Sequence, residues 1–180
     1  MSDKIIKNGR VVSDDRLTVS LAEGEAATDI AVPAGPVLVP LAVWQARRDE
    51  LLARARSGEL GVWLAAGEDV AALADDLALL QVIGLHFPKF TDGRAYSQAL
   101  LLRRRYKFAG DIRATGDVLI DQLVHMQRSG FTSAVLAPGV DASAAQRQFD
   151  RFADFYQGDV LEPRPLFARL ALADALLEAA

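Results

Sequence analysis

Four short apolar segments, each followed by a segment with helical periodicity, constrain the fold of this chain more than any other feature. They occupy residues 61–66, 82–87, 111–115 and 133–137. A short continuous apolar run is typical of a strand that is covered on both faces. Strands joined through helices pair in parallel with right-handed crossovers. The pattern therefore predicts an α/β fold of four consecutive βα units, whose parallel sheet resembles half of a (βα)8 barrel; a small open sheet is the alternative.

The residues before this core lack the βα rhythm. Asn8-Gly9 lies between two short segments with strand character, which is the signature of a tight β-hairpin. The apolar run 30–39 contains two prolines and a glycine, so it predicts a covering loop and not a central strand. Pro40 then begins a helix that ends near Gly58.

The length of 180 residues predicts a single α/β domain. Within it, residues 1–58 form the N-terminal extended segment and helix, and residues 59–180 form the βα core. A C-terminal helix is predicted at about 166–177. Half a barrel leaves the second face of its sheet to be covered by the N-terminal region or by another copy of the chain. A homo-oligomer is therefore one of the expected states.

Composition narrows the classes of site. The chain has no cysteine, which excludes disulfides, thiolate metal sites and cysteine nucleophiles. With His86 and His125 as the only histidines, a histidine-rich metal site within one chain is not expected. The GxGxxG, GxxxxGK[ST] and GxSxG fingerprints are absent. We therefore expect no metal and no cofactor. Since no apolar stretch resembles a signal peptide or reaches membrane-spanning length, we expect a cytoplasmic protein without membrane contact.

Charge is unevenly distributed along the chain. The net charge is −4, yet residues 89–128 contain eight basic and four acidic residues. One basic stretch in an acidic protein indicates a small anionic ligand or an acidic protein partner, and not nucleic acid. Alternatively, the basic residues 103–107 are the solvated last turn of a helix predicted at about 94–105. That helix is expected to direct Tyr96, Ala99 and Leu100 toward the core.

Polar residues concentrate where the second and third predicted strands end. The carboxyl ends of parallel strands meet at one edge of a sheet, where α/β proteins bind ligands. The candidate binding residues at these two corners are Lys89, Thr91, Asp92, Arg94, Arg113, Thr115, Asp117 and Gln122.

Two arrangements of these residues are open. In the functional one, Lys89, Arg94 and Arg113 converge as an anion site. In the structural one, Asp92 and Asp117 cap helices and Arg113 bridges the two carboxylates. No residue can be assigned a catalytic role, and His86 is interpreted as a hydrogen-bonded core residue.

The segments FTDGRAYSQA and RATGDVLIDQ resemble the central motif of DUF934, a family of bacterial proteins, and the resemblance extends over nearly the whole chain. Members are often described as oxidoreductases, and their genes tend to lie beside those for assimilatory sulfite or nitrite reductase. The residues give the oxidoreductase description no support, because the chain has neither a cysteine pair nor a dinucleotide-binding loop.

The resemblance implies an accessory protein of assimilatory sulfate and sulfite reduction, which binds a partner reductase or a small anion. An enzyme acting on a small anionic substrate at the carboxyl-end edge of the sheet is one alternative. A purely structural subunit is the other.

Overall fold

The computed structural model describes residues 3–152 and 154–171, which form a mixed α/β fold around one curled, half-barrel sheet. The strands are β1 (Asp3–Lys7), β2 (Arg10–Asp14), β3 (Leu17–Thr18), β4 (Val37–Pro40), β5 (Leu60–Leu64), β6 (Val82–Phe87), β7 (Asp111–Gly116) and β8 (Ser133–Ala134). The α-helices are α1 (Leu41–Arg56), α2 (Arg94–Arg104), α3 (Leu123–Ser129), α4 (Ala145–Phe149) and α5 (166–171). Short 3-10 helices occupy Val70–Asp76, Ile120–Gln122 and Ala142–Ala144.

The strands lie in the order β2-β1-β8-β7-β6-β5-β4-β3. Strands β3 to β8 pair in parallel, whereas the β1–β2 hairpin is antiparallel and pairs with β8. The predicted α/β class and half-barrel arrangement are confirmed. The hairpin turn at Asn8-Gly9 is also confirmed, since both residues have positive φ.

The expectation of a covering loop at 30–39 is wrong in its last part. Residues Val37–Pro40 form β4, which is fully buried and pairs with β3 and β5. Pro33, Gly35 and Pro36 all precede Val37, so they remove no hydrogen bond from the strand.

One helix starts later than predicted. The helix expected to start at Asp117 begins only at Ile120, because Leu119 is extended and the carbonyl of Val118 accepts a hydrogen bond from Ala137 N (3.0 Å). In α2, Leu100 does not face the core. The predicted C-terminal helix is described over 166–171, and residues 172–177 lie outside the described part of the chain. No helix of the described residues is long and apolar enough to cross a bilayer.

The two edge strands of the sheet are joined directly along the chain. Only Asp15 and Arg16 separate the end of β2 from the start of β3. Two residues span at most about 11 Å between the flanking Cα atoms, whereas the edges of a flat eight-stranded sheet lie about 34 Å apart. The link therefore requires the sheet to curl. It is anchored by the Arg16 guanidinium, which donates to carbonyl oxygens at the starts of β4 and β5 (2.8–3.2 Å).

The two faces of the sheet differ in what they bury. The outer face carries aliphatic residues of β5, β6 and β7 that form the core with the helices. The inner face carries the alternate positions, among them Trp63, His86, Arg113 and Thr115. The N-terminal region covers part of this face, since Trp63 Nε1 donates to the Val19 carbonyl (2.8 Å).

Candidate functional site

The β6–α2 corner, residues 88–94, projects from the carboxyl-end edge of the sheet. Its turn is closed by a hydrogen bond from Asp92 N to the Lys89 carbonyl (2.9 Å). Lys89 and Thr91 are exposed. Phe90 lies between them with 47% of its surface exposed, which is unusual for a phenylalanine.

Two side chains from the next corner fix the backbone of Phe90. Asp117 Oδ2 accepts a hydrogen bond from Phe90 N (2.9 Å), and Gln122 Nε2 donates to the Phe90 carbonyl (3.1 Å). Asp117 N in turn donates to the carbonyl of Phe87 (2.9 Å). We call this arrangement the Phe90 clamp. It joins the corners that follow β6 and β7 and holds the Phe90 ring in solvent.

Arg94 is neutralised within its own corner. Its Nη2 lies 2.6 Å from Asp92 Oδ2, and its Nε donates to Asp92 Oδ1 (3.0 Å). These hydrogen bonds, together with one from Arg94 N, lower the pKa of Asp92 to about 2. The same contact raises the pKa of Arg94. Asp92 is not the N-cap of α2, which is Gly93; it lies one residue before the N-cap, where Oδ1 accepts the hydrogen bond from Arg94 N (3.2 Å) in addition to the ion pair.

Arg113 lies apart from Lys89 and Arg94. It is 3% exposed on the inner face and binds Asp14 through Nη1 (2.7 Å) and Nη2 (3.3 Å). Its Nη2 is also 3.5 Å from Asp111 Oδ2, and its Nε donates to Ser133 Oγ (3.3 Å). The expectation that Arg113 bridges Asp92 and Asp117 is wrong. Its partners are carboxylates from the hairpin and from the start of β7.

Thr115 belongs to a third group, on the inner face near the carboxyl ends of β5–β7. Its Oγ1 lies 3.5 Å from His86 Nδ1, and the His86 ring lies 5.6 Å from the ring of Trp63. Burial lowers the pKa of His86, which favours the neutral imidazole. We call Trp63, His86 and Thr115 the inner-face cluster.

Sequence reasoning did not select Trp63 and His86 as site residues. Strand alternation was the available signal, because it places both residues on the inner face with Gly84 between them in register.

A wide groove of about 830 Å³ lies at the carboxyl ends of β7 and β8, and none of the three residues of the inner-face cluster lines it. Gly116, Lys4 and Asp141 are among the residues that line it. Hydrogen bonds from Ser143 lower the pKa of Asp141. The described residues contain no group of three histidine, aspartate or glutamate side chains that could hold a metal ion. The expectation of no metal and no cofactor stays a prediction.

The basic stretch of the sequence is partly neutralised in the structure. Arg103 turns inward and donates to the carbonyls of Gly130, Phe108 and Gly110 (2.6–2.9 Å). Arg128 pairs with Asp159 (2.8 Å). Among residues 89–128, the cations that are exposed and form no ion pair with a described residue are Lys89, Arg104, Arg105 and Lys107.

Comparison with known proteins gives one family match. The model of a family described as "Bacterial protein of unknown function (DUF934)" matches residues 61–167, which is more than half of the chain. The matched segment runs from β5 into α5 and includes the Phe90 clamp and the inner-face cluster. No curated protein and no solved structure matches the chain.

Proposed function

Starting from the fact that this chain belongs to the DUF934 family, we propose that it is a cytoplasmic accessory protein of assimilatory sulfate and sulfite reduction. It binds a partner reductase through the β6–α2 corner. The pathway comes from the genomic setting that the family resemblance implies. The single observation that supports binding at this corner is the Phe90 clamp.

The clamp presents an aromatic side chain in a fixed position. Both backbone polar groups of Phe90 are satisfied by Asp117 and Gln122, so the loop can hold one conformation while the ring stays in water. Aromatic residues are enriched among the side chains that contribute most to protein–protein binding. A loop that is ordered before binding loses less conformational entropy on association. These properties favour a docking surface over a solvated loop.

The distribution of charge favours a protein partner over a small anion. Arg94 is paired with Asp92, and Arg113 is buried among carboxylates. Of the three cations expected to form an anion site, only Lys89 has no ion pair among the described residues. An exposed aromatic ring with one exposed lysine next to it fits a protein interface better than a site for a bound oxyanion.

The test is direct binding between the purified chain and the assimilatory sulfite reductase of the same organism, measured by calorimetry. We expect Phe90→Ala to weaken binding by about tenfold or more, since the lost contact is a central aromatic one. Val11→Ala is the matched control, because Val11 is also an exposed apolar side chain (41%) but lies on β2. Both variants should keep the thermal midpoint of the wild-type protein.

Equal binding of the reductase to wild-type protein and to Phe90→Ala would exclude docking at this corner. Absence of any binding to the reductase would exclude the proposed partner.

An enzyme acting on a small substrate is the second candidate, and the inner-face cluster is the observation that favours it. A neutral imidazole near the carboxyl ends of parallel strands is suited to accept a proton, and Gly116, which lies against the His86 ring, lines the groove. The test is growth on sulfate of a strain that lacks the gene and carries a variant copy. If the protein is an enzyme, the His86→Gln copy should fail to support growth and the Phe90→Ala copy should support it. Growth that depends on Phe90 but tolerates His86→Gln supports the accessory function.

A further inference from the structure

We propose that the outer face of α2 is a docking surface for an acidic amphipathic helix of the partner protein. The surface combines two exposed leucines, Leu100 and Leu101, with three exposed cations, Arg104, Arg105 and Lys107, at the end of the same helix. The inference depends on the proposed function in one respect, namely that the partner is a protein. It adds which kind of segment of that protein binds.

The packing of α2 on the sheet does not account for the leucines. The helix buries Ala95, Gln98, Ala99 and Leu102, which recur at the spacing of a single helical stripe. Leu100 is 38% exposed and Leu101 41% exposed, on the opposite side. Together with exposed Ser97 they form a second, solvent-facing stripe. A helix that packs on one side only is expected to carry polar residues there.

The cations that follow the leucines are available to a partner. In the described residues no carboxylate lies within ion-pair distance of Arg104, Arg105 or Lys107. Arg104 Nη2 donates a hydrogen bond to the carbonyl of Asp159 (3.5 Å), and Arg105 lies 5.5 Å from the centre of the Tyr106 ring. Cations at a helix C-terminus do stabilise the helix dipole. That role, however, does not require the exposed leucines beside them.

The charge of the surface indicates which kind of segment binds it. The chain as a whole is acidic, with a net charge of −4, so a cluster of three cations that form no ion pair with a described residue is a local exception. It attracts a segment that carries several acidic residues. The apolar stripe requires leucine-like side chains on one face of that segment. A helix docked along α2, which is about 16 Å long, meets both requirements if its acidic residues lie near the C-terminal end of α2.

The experiment uses the full-length chain and synthetic peptides of about 18 residues, long enough to be helical when bound. One peptide places leucine at i, i+3, i+4 and i+7 with glutamate elsewhere. A second has the same composition in scrambled order, and a third replaces glutamate by lysine. Fluorescence anisotropy is measured at about 50 and about 300 mM salt, since the Debye length falls by about 2.4-fold between them.

We expect the ordered acidic peptide to bind at least about tenfold more tightly than the other two, and more weakly at high salt. The double variant Arg104→Glu/Arg105→Glu, and separately Leu101→Ser, should each weaken binding by about tenfold or more. Arg56→Glu is the matched control, because Arg56 is an exposed arginine in the last turn of α1. All these side chains are exposed, so the variants should fold.

Equal affinity for the ordered and scrambled peptides overturns the inference, and so does unchanged binding in the Arg104/Arg105 variant. A concentration-dependent dimer that Arg104→Glu/Arg105→Glu abolishes also overturns it, since the surface then holds a second copy of the chain. Failure of the sulfite reductase to bind, with peptide binding intact, instead removes only the proposed partner.

Discussion

Arg113 of β7 and Asp14 of β2 form a bidentate ion pair, with Nη1 2.7 Å from Oδ2, although β8 and β1 lie between their strands in the sheet. In a flat sheet, strands three positions apart are separated by about 14 Å. The pair therefore forms across the inside of the curl. It fastens the hairpin over the inner face of the sheet, where Asp111 and Ser133 complete the contacts of the guanidinium.

Removal of Arg113 should mainly affect stability. Arg113→Met leaves Asp14 and Asp111 without their buried cation, and breaking a buried pair from one side costs about 3–5 kcal/mol. Combining it with Asp14→Asn should recover part of this loss, which a double-mutant cycle by urea denaturation measures. Arg105→Met, at an exposed arginine, is the control. A loss below about 1 kcal/mol for Arg113→Met would mean that the pair is not a structural fastening.

The Phe90 clamp should control the order of the β6–α2 corner. Asp117→Ala removes the acceptor for Phe90 N, so we expect faster hydrogen exchange at residues 88–93 and a stability loss of about 1 kcal/mol. Asp121→Ala is the control, since Asp121 is exposed in the same segment. Exchange at Phe90 that is equal in the two variants would show that Asp117 does not hold the loop.

Gly116 should tolerate no side chain, because it combines a positive φ with a close approach. Its φ is +90°, and a Cβ would lie 2.3 Å from the Phe87 carbonyl oxygen and 2.6 Å from the His86 ring. Gly139 has a similar φ of +82° with no atom within 4 Å of a Cβ. Gly139→Ala should cost about 1–2 kcal/mol from backbone strain alone. Gly116→Ala should cost clearly more in the same denaturation assay, and equal losses would contradict the close contact.

The ion pair in the β6–α2 corner should titrate at low pH. The pKa of Asp92, about 2, is below its ordinary value of 3.8 because of Arg94. The ion pair therefore stabilises the β6–α2 corner fully above pH 3.8, and this stabilisation is lost as the pH falls toward 2. In Arg94→Gln, the pKa of Asp92 should rise toward about 3.9, as followed by carbon-13 NMR of its carboxyl group. An unchanged pKa would mean that the Arg94 side chain is not its cause.

His86 should make stability depend on pH between neutral and mildly acidic conditions. Burial lowers the pKa of His86 below 6.5, so the unfolded chain binds the proton more tightly than the folded one. The contribution of neutral His86 to the free energy of unfolding is fully present above about pH 6.5. It decreases as the pH falls through the pKa of His86 in the unfolded chain toward its lower pKa in the folded protein. His86→Gln should reduce this dependence in urea denaturation, whereas His125→Gln, at an exposed site on α3, should retain it.

Features that depend on local patterns could be predicted from the sequence. The parallel strands follow from apolar runs separated by helix-length segments, and the hairpin follows from Asn8-Gly9. Strand β4 was not predicted because two prolines and a glycine lie just before it. The composition of the whole run 30–39 indicates a loop, and it does not show where the loop ends and the strand begins. Leu100 was predicted to face the core, but the buried stripe of α2 is shifted by one position from the predicted stripe, so that Ala99 is buried and Leu100 is exposed.

Long-range partners could not be predicted in the same way. Asp14 and Arg113 are 99 residues apart, and their contact depends on how strongly the sheet curls. The clamp likewise depends on the relative positions of two corners that are 27 residues apart along the chain. The sequence motif marked Asp117 and Gln122 as unusual. The motif could not indicate that these two side chains bind the backbone of Phe90. Every residue has a backbone carbonyl, and nearly every residue has a backbone N–H, so such a partner leaves no signal in the sequence.

The pairing of the first strand with the last also determines when the sheet can be completed during synthesis. Ile6 of β1 pairs with Ala134 of β8, so about 130 further residues must be synthesised before the hairpin can pair with β8. At ribosomal rates this delay is roughly 6–25 seconds, and an isolated two-stranded ribbon is marginally stable at best. Throughout that interval the Asp15–Arg16 link keeps the hairpin beside β3, at the opposite edge from its final partner. Closure of the curl is therefore expected to be the last and slowest event in the folding of this protein.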